Sequence, residues 1–278
     1  MAWKGLADRA LKTVSPFSRL AIFLGTEMRK ALCYSVVLMC LLNTLAAAEG
    51  ECDPVQIRVS TTPVIEQSPG RLKRAIDVRK VQGPNPDLLL VGDSLVQQWQ
   101  PHVSRDFPGR AVHNFGVGGD KTQEVLWRLR NMKPKVSPRE IVVLIGTNNL
   151  ADKSATPCGV SGGIEAVVEE IGYQWPEAFT FVVQLLPRGE HFEFRSQERR
   201  EVNNYLAKRF AGSGTAAFVE VDEGKISCSW NSRNCSMFRP DLLHLQADGY
   251  GILRQALRQT SIELFDKDRL NPALTQKN

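Results

Sequence analysis

Four short segments of the 278-residue chain hold residue types able to carry acyl chemistry. They are Gly92-Asp93-Ser94-Leu95, Asn114-Phe115-Gly116-Val117-Gly118-Gly119-Asp120, Gly146-Thr147-Asn148-Asn149 and Asp241-Leu242-Leu243-His244. A serine hydroxyl attacks a carbonyl only when a base takes its proton, and histidine is the base suited to neutral pH. The imidazole in turn needs a carboxylate on its other nitrogen to fix tautomer and orientation. Asp241 and His244, three residues apart, can meet across one turn, and no other histidine (His102, His113, His191) has an aspartate at that spacing. These three read as structural or exposed. The anionic tetrahedral intermediate needs donors where charge develops, and the N–H groups of Ser94 and Gly119 with the Asn148 amide could supply them. Taken singly, each residue also has a plain structural use: Ser94 as a helix cap, Gly118 and Gly119 in a tight turn, Asn148 as a loop brace, Asp241 and His244 as a surface pair.

Such residues work only if the fold brings the segments together. Leu88–Val91, Ala111–Phe115, Ile141–Ile145, Phe179–Leu186 and Ala217–Val221 are short apolar or β-branched runs bounded by Gly, Pro or Asp, the pattern of strands buried on both faces. Between them, Val125, Leu129 and Met132 recur at helical spacing, as do Ile164, Val167, Val168 and Ile171, then Val202, Leu206 and Phe210. A final helix begins around Leu253 and Leu257 and runs to about Phe265. The reading is a three-layer α/β/α architecture with a flavodoxin-like, five-stranded parallel sheet over residues 87–265. Residues 49–86, rich in Pro, Ser, Thr and charge, read as an extended lead-in with one short helix near Arg71–Arg79, and 266–278 as a polar tail. In this architecture ligands meet the carboxyl ends of the strands, where the first three segments fall.

Other chemistries lack their motifs. Gly116-x-Gly118 is followed at once by Gly119 and comes after the second strand, so it fails as a dinucleotide fingerprint. There is no phosphate-binding G-x-x-x-x-G-K-[ST] loop, and with no C-x-x-C and few histidines a zinc site is disfavoured.

Composition narrows the setting. Hydrophobic residues make up 42% and charged residues 23%, the balance of a globular chain. Of the formal charge of +5, most sits at the front. Residues 1–48 carry six Lys or Arg against Asp8 and Glu27, leaving 29 basic and 28 acidic residues in 49–278. A near-neutral body has no electrostatic footprint for nucleic acid. Ala31–Ala48 is free of charge, follows Met28-Arg29-Lys30 and ends in three alanines, so 1–48 reads as an extension with a secretory signal peptide. An uncleaved anchor facing the non-cytoplasmic side is the alternative, and Met28 is a rival start. Either way the body leaves the cytosol, secreted or tethered to a membrane. Cys33 and Cys40 lie in the apolar run, and the remaining Cys52, Cys158, Cys228 and Cys235 suit two disulfides in an oxidising compartment. Of the three connectivities, Cys228–Cys235 closing a local loop with Cys52–Cys158 tying down the N-terminus is favoured.

Taken in order, VGDSLVQ, NFGVGGDKTQEVLWRL, VVLIGTNN, GGIEAVV, LLPRGE and DLLHL resemble the SGNH (GDSL) hydrolase superfamily, most closely the catalytic subunits of intracellular platelet-activating-factor acetylhydrolases. The resemblance runs from about Pro86 to Leu264. It implies Ser94 as nucleophile, His244 as general base, Asp241 as its orienting acid, an oxyanion hole of Ser94, Gly119 and Asn148, and Asp93 bracing the nucleophile turn. It implies no metal or cofactor, and dimers by analogy. Those subunits are cytosolic, whereas this chain carries an export leader and paired-looking cysteines; exported enzymes of similar appearance deacetylate polysaccharides or cleave small esters. The expectation is a serine esterase acting on short acyl, chiefly acetyl, esters of a glycan or lipid. The rivals are a non-catalytic carbohydrate- or lipid-binding module on the same scaffold, separated by covalent labelling of Ser94, and an acyltransferase, separated by product analysis with an added acceptor.

Overall fold

The computed structural model describes residues 52–81 and 84–265. The leader (with Met28, Cys33 and Cys40) and the tail at 266–278 lie outside the described residues. Five parallel strands form the sheet: β1 (Leu88–Gly92), β2 (Val112–Gly116), β3 (Glu140–Leu144), β4 (Phe179–Val183) and β5 (Ala216–Val219), in the order β2-β1-β3-β4-β5. The three-layer, flavodoxin-like expectation holds. Strand residues alternate between two cores. Leu89, Val91, Ile141 and Val143 face one side, under α2 (Pro69–Val78), α5 (Thr122–Met132), α7 (Pro157–Gln174) and α8 (Ser196–Phe210). Leu88, Leu90, Val142 and Leu144 face the other, with Val96, Trp99, Leu253 and Leu257. Burying both faces is why the strands read as continuous apolar runs.

Two differences from the sequence reading have physical causes. The first is a helix, α1 (Pro54–Thr61), inside the segment read as extended. Its pattern is weakly amphipathic, with Val55 and Val59 exposed. It is fixed by the Asp53 cap onto the Val55 N–H, by the Cys52–Cys158 disulfide to α7, and by the Ser60 carbonyl accepting from Thr122 Oγ1. None of these is a periodic signal. The second is that β4 stops at Val183 although the apolar run continues to Leu186. There the Asn203 side chain of α8 takes the place of a ladder partner, accepting from the Leu185 N–H and donating to the Leu185 carbonyl. The favoured cysteine pairing is the one present, Cys52–Cys158 and Cys228–Cys235, with Cα separations of 5.7 and 5.2 Å. Among the described residues, no helix is long and apolar enough to cross a membrane, and no cluster of His, Cys, Asp and Glu could hold a metal ion.

Candidate active site

The order β2-β1-β3 brings the ends of these three strands side by side at the point where connections turn to opposite faces of the sheet. This is where such folds leave a crevice. At the end of β1, Asp93 caps the short helix α3 (Ser94–Gln97), its Oδ1 accepting from the Leu95 N–H at 2.9 Å. Ser94 is thus the first residue of a helix, where the N–H has no intrahelical partner. Gly92 is required by proximity: a Cβ there would lie 2.1 Å from the Leu144 carbonyl oxygen. The turn therefore sits flush against β3.

After β2, Gly119 adopts φ +84°, the left-handed region open to glycine, and its N–H makes no hydrogen bond among the described residues. After β3, Asn148 stands on the one-turn helix α6 (Thr147–Leu150), its Nδ2 donating to the Asp120 carbonyl at 2.8 Å. That bond uses one amide hydrogen and leaves the other.

The remaining two residues come from the loop before the last helix, α10 (Ala247–Phe265). Asp241 Oδ1 accepts from the Leu243 and His244 N–H groups at 3.0 and 2.9 Å, folding the DLLH segment into a tight turn with Leu242 at φ +52°. Asp241 Oδ2 then reaches His244 Nδ1 at 2.7 Å, and His244 Nε2 lies 2.9 Å from Ser94 Oγ. Burial works to raise the Asp241 pKa, but hydrogen bonds from the His244 ring and from the His244 and Leu243 N–H groups outweigh it, holding the carboxyl below its usual value. Asp241 is therefore ionised at neutral pH, so His244 Nδ1 carries the proton and Nε2 is free to accept one. The other histidines lie elsewhere: His113 Nε2 is 2.7 Å from the Val78 carbonyl, His102 packs on Tyr250, and His191 is exposed beside Glu190.

Residues that the sequence reading quoted but gave no role prove to hold the site. Arg128 of α5 is buried; its Nε donates to Asp120 Oδ2 at 2.8 Å, Nη1 to the Phe115 carbonyl at 2.9 Å and Nη2 to the Gly92 carbonyl at 3.3 Å. One guanidinium thereby ties the ends of β1 and β2 to the residue after Gly119. The available signal was a charge inside an apolar stripe, since Val125 and Leu129 flank it on the same helix face. Asn149 adds a second tie, accepting from the Thr122 N–H and donating to Thr122 Oγ1. Asp93 is fully buried and its Oδ2 has no hydrogen-bond partner among the described residues. Burial, helped by the nearby Asp120 and opposed by the Leu95 N–H and Arg188, pushes its carboxyl up to about 7. Burial likewise raises Asp120 to about 6 against the pull of Arg128.

A cavity of about 470 Å³ lies at the opposite end of the strands, bordered by Leu88, Phe107, Glu140 and Leu257. It brings no nucleophile and base together. The chemistry is concentrated at the carboxyl end.

Comparison with known proteins gives the family and the fold. The model of the GDSL-like Lipase/Acylhydrolase family matches residues 81–252. The human platelet-activating factor acetylhydrolase IB subunit alpha1 is 36% identical over 187 residues, covering 66% of this chain and 79% of the relative. The alpha2 subunit from Rattus norvegicus is 36% identical over 191 residues, with the same coverage of 66% and 79%. Among solved structures, a GDSL-like lipase from Bacteroides thetaiotaomicron superposes with a TM-score of 0.54 at 17% identity, covering 70% of this chain and 98% of that one. This last likeness is one of fold.

Proposed function

Because the chain belongs to the GDSL-like Lipase/Acylhydrolase family and is thus a carboxylic ester hydrolase, we propose that it is an exported serine esterase that cleaves short-chain, chiefly acetyl, esters through an acyl-enzyme. The observation that carries this reading is the continuous relay Asp241–His244–Ser94, with hydrogen-bond distances of 2.7 and 2.9 Å, at strand ends where the Ser94 and Gly119 N–H groups have no acceptor among the described residues. In the proposed cycle Ser94 Oγ attacks the ester carbonyl as His244 Nε2 takes its proton. Negative charge gathers on the carbonyl oxygen, where the N–H groups of Ser94 and Gly119 and the free hydrogen of the Asn148 amide receive it. The C–O bond to the alcohol breaks as His244 returns the proton to the leaving oxygen. Water, deprotonated by His244, then attacks the acyl-serine; the acyl C–O bond to Ser94 breaks, His244 returns the proton to Ser94 Oγ and the acid is released. Asp241 stays ionised throughout and stabilises the imidazolium.

The acetyl preference draws its support from the acetylhydrolase subunits matched at 36% identity. Export draws its support from the leader sequence and from two disulfides, bonds that persist in oxidising compartments. The test is hydrolysis of p-nitrophenyl acetate, butyrate and octanoate by the protein and by Ser94→Ala, with fluorophosphonate labelling of both. Turnover strongest on acetate, labelling of the native protein only, and a loss of about three or more orders of magnitude in Ser94→Ala are expected. Activity rising with chain length would overturn the acetyl assignment, and activity surviving in Ser94→Ala would overturn the mechanism.

A further inference from the structure

Arg188 is a cation at the catalytic end that the cycle above does not use. It follows Pro187 in the loop after β4, and its neighbour Gly189 donates its N–H to the Leu242 carbonyl at 2.8 Å, inside the Asp241–His244 turn. Its side chain reaches the other half of the site: Nη1 donates to Thr147 Oγ1 at 3.0 Å and to the Thr147 carbonyl at 3.3 Å, one residue before Asn148. The guanidinium carbon lies 4.3 Å from the centre of the Phe194 ring, which is 39% exposed. Arg188 is therefore held between the oxyanion segment and the histidine loop, pinned at one nitrogen and stacked on one face.

Like the half-buried Arg74, it makes no ion pair among the described residues. Arg128, Arg195 and Arg199 each grip a carboxylate (Asp120, Glu198 and Glu223), whereas no carboxylate lies within ion-pair distance of Arg188 among the described residues. Its Nε and Nη2 make no hydrogen bond there either. Burial lowers its pKa, and the electrostatic pull of Asp93 only partly offsets this. A half-buried guanidinium always carries charge, and withdrawing it from water without a partner costs free energy that an incoming anion would recover. The Nε–Nη2 edge is the fork that meets a carboxylate, phosphate or sulfate with two parallel hydrogen bonds.

We propose that Arg188 is a specificity residue that binds an anionic group on the alcohol part of the ester. The alcohol is assigned because an acetyl group has no second ionisable site, and to that extent the inference rests on the short-acyl reading above. The substrate class is then an acetyl ester of an acidic molecule: a uronic or other carboxylic acid, a phosphate ester or a sulfate ester.

The experiment compares kcat/KM for 3- and 4-acetoxybenzoate with that for the neutral, nearly isosteric 3- and 4-acetoxybenzamides, in the native protein, Arg188→Met and Arg188→Lys. The native protein should favour at least one benzoate by about tenfold or more. Arg188→Met should lose that ratio, and Arg188→Lys, which keeps the charge but not the fork, should retain part of it. Equal losses on benzoate and benzamide would make Arg188 a positioning residue and overturn the proposal, as would a native ratio near one. A native preference for phenyl hydrogen succinate over phenyl acetate without one for the benzoates would overturn the alcohol-side assignment. Calorimetric binding of 4-acetamidobenzoate and 4-acetamidobenzamide to Ser94→Ala, with and without Arg188→Met, keeps the two readings separate. An Arg188-dependent preference for the benzoate upholds anion recognition even if no ester is cleaved, and equal binding overturns it even if esters are.

Discussion

The nucleophile half and the acid–base half of the site are built on opposite principles. Asp93, Gly119, Asp120 and Asn148 hang from the ends of three adjacent strands, and what fixes them is buried: the Arg128 guanidinium, the Asn149–Thr122 pair and the close packing of Gly92 on β3. Asp241 and His244 lie on an irregular loop, and the Asp241 side chain is 48% exposed. Their geometry comes from hydrogen bonds within four residues, the left-handed Leu242 and contact with neighbouring loops. In the proposed cycle the half-buried donors that receive charge are braced by buried residues, so they need not reorganise, whereas the proposed base sits where a small adjustment costs little. Faults should therefore show differently: as lost stability together with lost rate in the first half, and as lost rate alone in the second.

Four substitutions sharpen that contrast, taken from the largest effect down. His244→Ala should cost about three or more orders of magnitude in kcat/KM while the melting temperature stays close to that of the native protein. Asn148→Ala should cost about two to three orders, chiefly in kcat, because the lost amide acts on charge that develops only in the transition state. Arg128→Met, which touches no substrate, should lower unfolding free energy by about 3–5 kcal/mol in urea titration, since it strands the buried Asp120 carboxylate. A fall in kcat should accompany it, and a stable, fully active Arg128→Met would dissolve the distinction between the halves.

The smallest effect is one of pH. The Asp93 carboxyl is pushed up from an ordinary 3.8 to about 7 in the folded protein, so the folded state keeps a proton that the unfolded chain gives up. The stability this contributes is present below the unfolded pKa and is lost as pH rises toward the folded one. Asp93→Asn removes the titration, so its melting temperature relative to the native protein should rise by a few degrees from about pH 4 to about pH 8. A constant offset across that range would show that Asp93 is not held protonated.

Much of this was legible in the chain itself. Uninterrupted apolar runs mark strands buried on both faces, and Leu89 with Val91 and Leu88 with Leu90 do divide between the two cores. The spacing of Asp241 and His244 is a local property, readable because three residues span one turn. What was missed is either non-local or disguised as composition. Helix α1 has no strong periodicity because its partners are a disulfide and the Thr122 hydroxyl, 62 positions from Ser60. Arg128 is legible as a charge inside an apolar stripe, but the carbonyls it grips come together only once the ends of β1 and β2 are side by side.

Residue order alone determined the strand count, the parallel architecture, and the residue types and local turn of the Asp–His pair, because periodicity and short spacing are written along one segment. Only the tertiary structure decided that Ser94 Oγ meets His244 Nε2 across 150 positions, that Arg128 binds two strand ends to the Gly119 turn, and that Arg188 stands without a counter-ion between the two halves. Hydrogen bonds and ion pairs act over a few ångströms of space whatever the chain distance, so they exist only once packing has brought their partners together.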